Sequence, residues 1–249
     1  MKKCQLSLLT VLVTGTLVAS SAYAGEFALG GGIIGENSIY KGDDTHVDPL
    51  PFFSYESENF YFHGLGGGYY LWNDERNKLS LTASYFPFGF KPSDSSDAQV
   101  QKLDRRRSTL MAGIAYMHDE DWGTIRTSLV GDTLDNSNGL TGDLAYLYRF
   151  NMDDWSITPS VGVTWDSKNQ NRYYYGVSDS ESARSGLSSY NPNDSWSPYV
   201  ELLANYKISQ KWNAWVTSRY THLADEVKNS PIVDKNYSLL FGAGVSYTF

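Results

Sequence analysis

The sequence predicts an all-β fold: a closed antiparallel β-barrel that spans a membrane. Three observations carry that prediction. Apolar and polar residues alternate with period two in segment after segment, rings gather at the ends of the apolar faces, and short and long links take turns along the chain. Mean hydropathy is only -0.40 although 15% of the residues are aromatic. Rings on one face of each strand and polar groups on the other reconcile those two values.

The first element is a leader. MKKCQLSLLTVLVTGTLVASSAYA has a basic start at Lys2 and Lys3, an apolar stretch from Leu6 to Ala19 and a small-x-small end at Ala22-Tyr23-Ala24. It reads as a signal peptide over 1–24, cleaved after Ala24, with the barrel over 25–249. The apolar stretch is shorter than the ~20 residues a spanning helix needs. Cys4, the sole cysteine, leaves with the leader, so the mature chain has no thiol and no disulfide. Loss of Lys2 and Lys3 leaves 18 basic against 28 acidic residues, a net charge of -10. No basic patch is available for nucleic acid.

Strand starts are expected near Glu26, Val47, Asn59, Lys78, Arg106, Trp122, Gly139, Trp155, Ser195, Lys211 and Tyr237. That makes eleven, whereas a barrel with both ends on one side of the membrane needs an even number. The shortfall falls between 26 and 76, where the glycines of HGLGGGYYLW blur the boundaries. Twelve strands are expected, with ten as the alternative.

The later strands are clearest. In 155–166, Trp155, Ile157, Pro159, Val161, Val163 and Trp165 share one face, with Ser156, Thr158, Ser160, Gly162, Thr164 and Asp166 on the other. Segments 139–150, 198–207 and 212–221 repeat the pattern. In the last strand Leu239, Phe241, Ala243, Val245, Tyr247 and Phe249 face one way. The apolar faces are expected to meet lipid and the polar faces the lumen. A three-residue turn after 208 would set Glu201 opposite Arg219 there as a lumen ion pair. Bulky inward groups, Leu147, Tyr199, Leu203 and Trp215, are expected to fill much of that lumen.

Links at 118–121, 151–154 and 208–211 are short, and those at 89–105, 133–138, 167–195 and 223–236 are longer. Outer-membrane barrels keep short turns on the periplasmic side and long loops outside. The periplasmic links 72–77, 118–121 and 151–154 then carry Asp74, Glu75, Asp119, Glu120, Asp121, Asp153 and Asp154 against Arg76. Asp119, Glu120, Asp121, Asp153 and Asp154 are the candidate partner contacts, although turn chemistry alone also favours Asp.

Catalytic signals are sparse. His46, His63, His118 and His222 belong to no serine-histidine motif, and no G-x-S-x-G occurs. GDTLDNSNGLTGD (131–143) is rich in oxygen ligands, but Leu134 stands where an EF-hand needs its second ligand. Asn138-Gly139 instead marks a turn. The loop 169–196, with Tyr173, Tyr174, Tyr175 and Tyr190, is too long for a mere connection; it either binds a ligand, folds over the mouth or packs on its own tyrosines.

GLGGGYYLWND (64–74), GDTLDNSNG (131–139), YYYGVS (173–178), ESARSGL (181–187), YNPNDSWSPY (190–199) and DEVKNSPIVDK (225–235) resemble the MipA/OmpV family through essentially the whole mature chain. Phe249 likewise resembles the terminal aromatic by which bacterial barrels are recognised for insertion. The resemblance implies a Gram-negative outer-membrane protein, in contact with outer-membrane lipid, that scaffolds murein metabolism. It would hold a lytic transglycosylase, MltA, together with a bifunctional penicillin-binding murein synthase. It supplies no catalytic residues and implies no cofactor or metal. A small-solute pore is the alternative function, and a lipid-processing barrel enzyme a more distant one.

Overall fold

The computed structural model describes residues 26–87 and 89–249; the expected leader at 1–24 lies outside them. Twelve strands form one closed antiparallel sheet. They are β1 (Glu26–Glu36), β2 (His46–Glu56), β3 (Phe60–His63), β4 (Gly66–Asn73), β5 (Asn77–Phe86), β6 (Thr109–Glu120) and β7 (Gly123–Asp132). β8 comprises Leu140–Leu147 and Phe150–Met152, followed by β9 (Trp155–Asp166), β10 (Ser195–Lys207), β11 (Trp212–His222) and β12 (Tyr237–Thr248). The two pieces of β8 continue one another, because Leu147 pairs with Ser160 and Met152 with Trp155. β12 pairs with β1, which closes the barrel and removes the free edges an open sheet would present to lipid.

The strand that the sequence hides is the second arm of a short hairpin. β3 and β4 are joined by Gly64 and Leu65, with Gly64 at φ 58, a conformation that glycine adopts without a Cβ penalty. Other expected starts agree with the structure to within one residue, except the one near Arg106: β6 begins at Thr109.

The face assignment follows from burial. Val161 is 54% exposed and Val216 57% on the outer wall, while Ser160 and Thr217 point inward and are buried. Rings form two outer belts. Near the short turns, Trp155 lies 4.8 Å from Tyr206 and Trp212 5.2 Å from Tyr247. Near the long loops, Trp165 meets Trp196 and Tyr220 stacks on Tyr237. Such girdles sit at membrane interfaces. Among the described residues no helix is long and apolar enough to cross a membrane.

The apolar core lies in the loops. Phe90, Val100 and Leu103 from the β5–β6 link pack with Val177 and Leu187 from the β9–β10 link. Leu223, Val227, Ile232 and Val233 from the β11–β12 link complete the cluster, and Ile39 and Tyr40 pack against it. The β9–β10 link carries two helices, α1 (Lys168–Tyr175) and α2 (Asp179–Ser185). The long loop thus folds over the outer mouth, with Tyr174 of α1 buried.

Candidate functional site

The lumen has two unlike halves. On the β7–β12 side, large and charged side chains meet. The register places Glu201 directly across from Arg219, with Nη1 3.8 Å from a Glu201 oxygen. They do not stand alone. Asp143 and Arg126 complete a four-charge group, Arg219 lying 3.8 Å from Asp143, and Arg126 3.8 Å from Asp143 and 4.0 Å from Glu201. Tyr199 donates its hydroxyl to Asp143, and the Arg219 guanidinium lies 3.5 Å from the Tyr199 ring centroid. Two arginines and two carboxylates leave the group electrically neutral. Trp215 packs against Gly244, where a Cβ would come within 2.6 Å of the indole.

The β1–β6 side differs. Ser54, Ser80, Thr82 and Ser84 are small, and they border a cavity of about 1700 Å³. The expectation of a largely filled lumen is therefore corrected. The bulky inward residues Leu147, Tyr199, Leu203 and Trp215 all lie on β8, β10 and β11, so they pack one sector and leave the opposite one open. The cavity lining runs from Asp74 and Arg76 at the short-turn rim to Lys91, Asp94 and Arg105 at the loop rim. Within it Glu56 accepts hydrogen bonds from Tyr70 at 2.6 Å and Lys78 at 3.0 Å, and lies 3.1 Å from His63.

The short-turn rim carries the candidate contacts. Glu120 is held by Arg76 at 2.8 Å, and Asp119 accepts from Thr124. Asp121 follows in the turn, Asp153 has φ 47, and the Asp154 carbonyl accepts the Lys207 amide at 2.8 Å. Asp74 caps its own turn; the Arg76 amide, ahead of the Asn77 amide, holds its carboxyl below the usual range. The structure adds a turn at 57–59, carrying Glu58, and places the basic Lys207 and Lys211 at the β10–β11 turn. The rim is therefore acidic over most of its circumference and basic at one turn.

The remaining sequence candidates have ordinary structural roles. Asp132 accepts the backbone amides of Leu134, Ser137 and Asn138, so the 131–143 stretch is built as a turn around its carboxylate. His46, His63 and His118 engage Asp43, Glu56 and Asn77 rather than a serine. The sequence reading missed Arg126 as a partner of Glu201, because that contact crosses the lumen between non-adjacent strands. Arg126 stands on the inward face of β7, which is the signal that could have found it.

Comparison with known proteins gives the same architecture a lineage. A relative named MltA-interacting protein, from Escherichia coli (strain K12), is 53% identical over 245 residues, covering 97% of this chain and 99% of its own. Outer membrane protein OmpV of Vibrio cholerae serotype O1 is 26% identical over 258 residues and covers 100% of both chains. Among solved structures, the NanC porin superposes with a TM-score of 0.44 at 10% identity, over 90% of this chain and 100% of that one. The barrel, with its lipid-facing belts and its outer-membrane relatives, resides in the outer membrane. A family model described as MltA-interacting protein MipA matches residues 29–249, and the chain belongs to that family.

Proposed function

We propose that this barrel is a non-enzymatic outer-membrane scaffold for murein metabolism. It holds a lytic transglycosylase of the MltA type beside a bifunctional penicillin-binding murein synthase. The observation that carries the reading is the 53% identity, end to end, with a relative named for its interaction with MltA. The periplasmic rim offers the means. Asp119, Glu120, Asp121, Asp153 and Asp154 form an acidic arc that would meet a basic enzyme surface. Rim charges of this kind set encounter rate and orientation, and salt screens them within about 10 Å at 0.1 M.

Surface plasmon resonance with purified transglycosylase tests this. Association slows as salt is added, and a variant carrying Asp119→Asn, Glu120→Gln, Asp121→Asn, Asp153→Asn and Asp154→Asn associates more slowly at low salt while keeping its fold. Loss of binding only in that variant supports the arc as the footprint. Absence of binding by the native barrel overturns the scaffold. A pore is the second reading, favoured by the cavity whose lining reaches both rims.

A further inference from the structure

The open sector of the lumen carries a band of rings on its wall. Register brings two rows of inward residues together at the short-turn end. Glu56, Tyr61, Gly68 and Thr82 lie side by side across β2, β3, β4 and β5, and Ser54, His63, Gly66 and Ser84 form the next row. β4 contributes only glycine to these rows, so a trough separates the rings of β3 from the hydroxyls of β5.

Tyr61 lies across that trough. Its hydroxyl reaches over β4 to Thr82 at 3.1 Å and Ser80 at 3.3 Å. A Cβ on Gly68 would come within 2.7 Å of the phenol, so glycine lets the ring approach the sheet. The side of the ring turned from the wall lines the cavity. His63, with its ring 5.3 Å away, and Tyr70, 5.0 Å away, are tilted from Tyr61 by 32° and 37° and extend the band. Glu56 holds both of them, 2.6 Å from the Tyr70 hydroxyl and 3.1 Å from His63 Nε2. Rings fixed in this way before a ligand arrives lose little freedom on binding.

Spare hydrogen-bonding capacity borders the rings. Lys78 has three protons to donate and directs one at Glu56. The hydroxyls of Ser54 and Ser84 have no protein partner among the described residues, although Ser54 is only 5% exposed. Both serines line the cavity with Lys78. On the opposite wall, by contrast, the four-charge group is engaged with itself. Glu56 and Lys78 cancel, so the band has no net charge to offer an ion. The cavity of about 1700 Å³ exceeds the roughly 300–1,000 Å³ of most small-molecule pockets and has room for several linked rings.

We infer that this band is a binding site for a neutral oligosaccharide, entered from the short-turn mouth. A pyranose has a face of C–H groups and a rim of hydroxyls. The face suits Tyr61, an apolar ring surface, and the rim suits Lys78, Ser54 and Ser84. An acyl chain would leave those polar groups without partners. The cap lies at the other mouth, so loading requires neither its opening nor a partner enzyme.

Isothermal titration calorimetry on the intact barrel in detergent, with chitotetraose and maltotetraose as probes, tests the site. Binding of a probe is expected, and Tyr61→Ala is expected to weaken it about tenfold, whereas Tyr61→Phe, which keeps the ring, leaves it within about threefold. An acidic probe of the same length, hyaluronan tetrasaccharide, is expected to bind more weakly than the neutral one. No binding of either neutral probe overturns the site. Equal affinity in the native barrel and Tyr61→Ala overturns the stacking surface, as does equal loss in the alanine and phenylalanine variants. Tighter binding of the acidic probe overturns the neutral class. Should Tyr61→Ala fold poorly, Ser84→Trp reads the same space: it fills the trough beside Gly66 and leaves Tyr61 in place. Loss of binding in that variant supports the site, and unchanged affinity overturns it.

Discussion

At the scale of single residues, Glu181 does the most. It sits in α2 with its side chain only 4% exposed, yet it is ionised and fully engaged. Arg106 meets it at 2.8 Å, the Asp104 amide at 3.1 Å, and Ser178 closes a capping box on it. Burial alone would raise its pKa; the Ser178 and Asp104 amides and the Arg106 charge outweigh that and hold the carboxyl below its usual range. The sign follows directly. A lowered carboxylate pKa contributes stability that is complete above the ordinary value of 4.5 and is lost as pH falls through the lower folded value. The protection of the 167–194 loop against hydrogen exchange, referred to the intrinsic amide rate at each pH, is therefore expected to be high at pH 7 and to fall in acid below 4.5, while the strand amides stay protected. Glu181→Leu leaves Arg106 buried without its partner, a change that costs about 3–5 kcal/mol. Limited proteolysis of the loop at neutral pH should then match the acid behaviour of the native chain. Unchanged protection in that variant would show that the apolar cluster alone holds the cap.

At the scale of elements, the alternation sets the wall. Val161 is half-exposed on the outer face of β9, midway between Trp155 and Trp165, and hence near the bilayer centre. Val161→Arg should cost about 2–4 kcal/mol of folding free energy in lipid, read by denaturant titration in vesicles; indifference would move that face away from the membrane. The same alternation made strands after residue 77 legible, because each carries one polar and one apolar face between clear turns. It failed at β3 and β4 for a physical reason. β3 is four residues long, and the glycines at 66, 67 and 68 have no side chains to alternate. It failed again in the loops. Val100, Leu103, Val177 and Ile232 follow no period of two, and their shared core exists only once four links fold together. Turn chemistry made the rim carboxylates easy to find. The open sector of the lumen was not legible, since the size of an inward residue does not say on which side of the barrel its neighbours gather.

At the scale of the whole molecule, the two rims are built differently, and their proposed roles can be separated. The loop rim is a folded cap with its own apolar core, fastened to the lumen by Tyr174, whose ring contacts Phe86. The turn rim is a ring of short links with carboxylates and no such core. Between them the cavity is bounded by small serines and threonines on one wall and by the neutral four-charge group on the other. On the pore reading, such a lumen imposes no strong single-sign barrier, so passage of small solutes would be governed by the cap. Replacing 168–191 with a short Gly-Ser link should therefore raise conductance in planar bilayers well above that of the native chain. The same variant should bind the transglycosylase with unchanged association kinetics, because the acidic arc lies at the opposite end. The two measurements separate the readings. A conductance that does not respond to removal of the cap would count against the pore. An association rate that falls with the cap would move the partner's footprint from the periplasmic turns to the loops, and with it the physical basis of the scaffold.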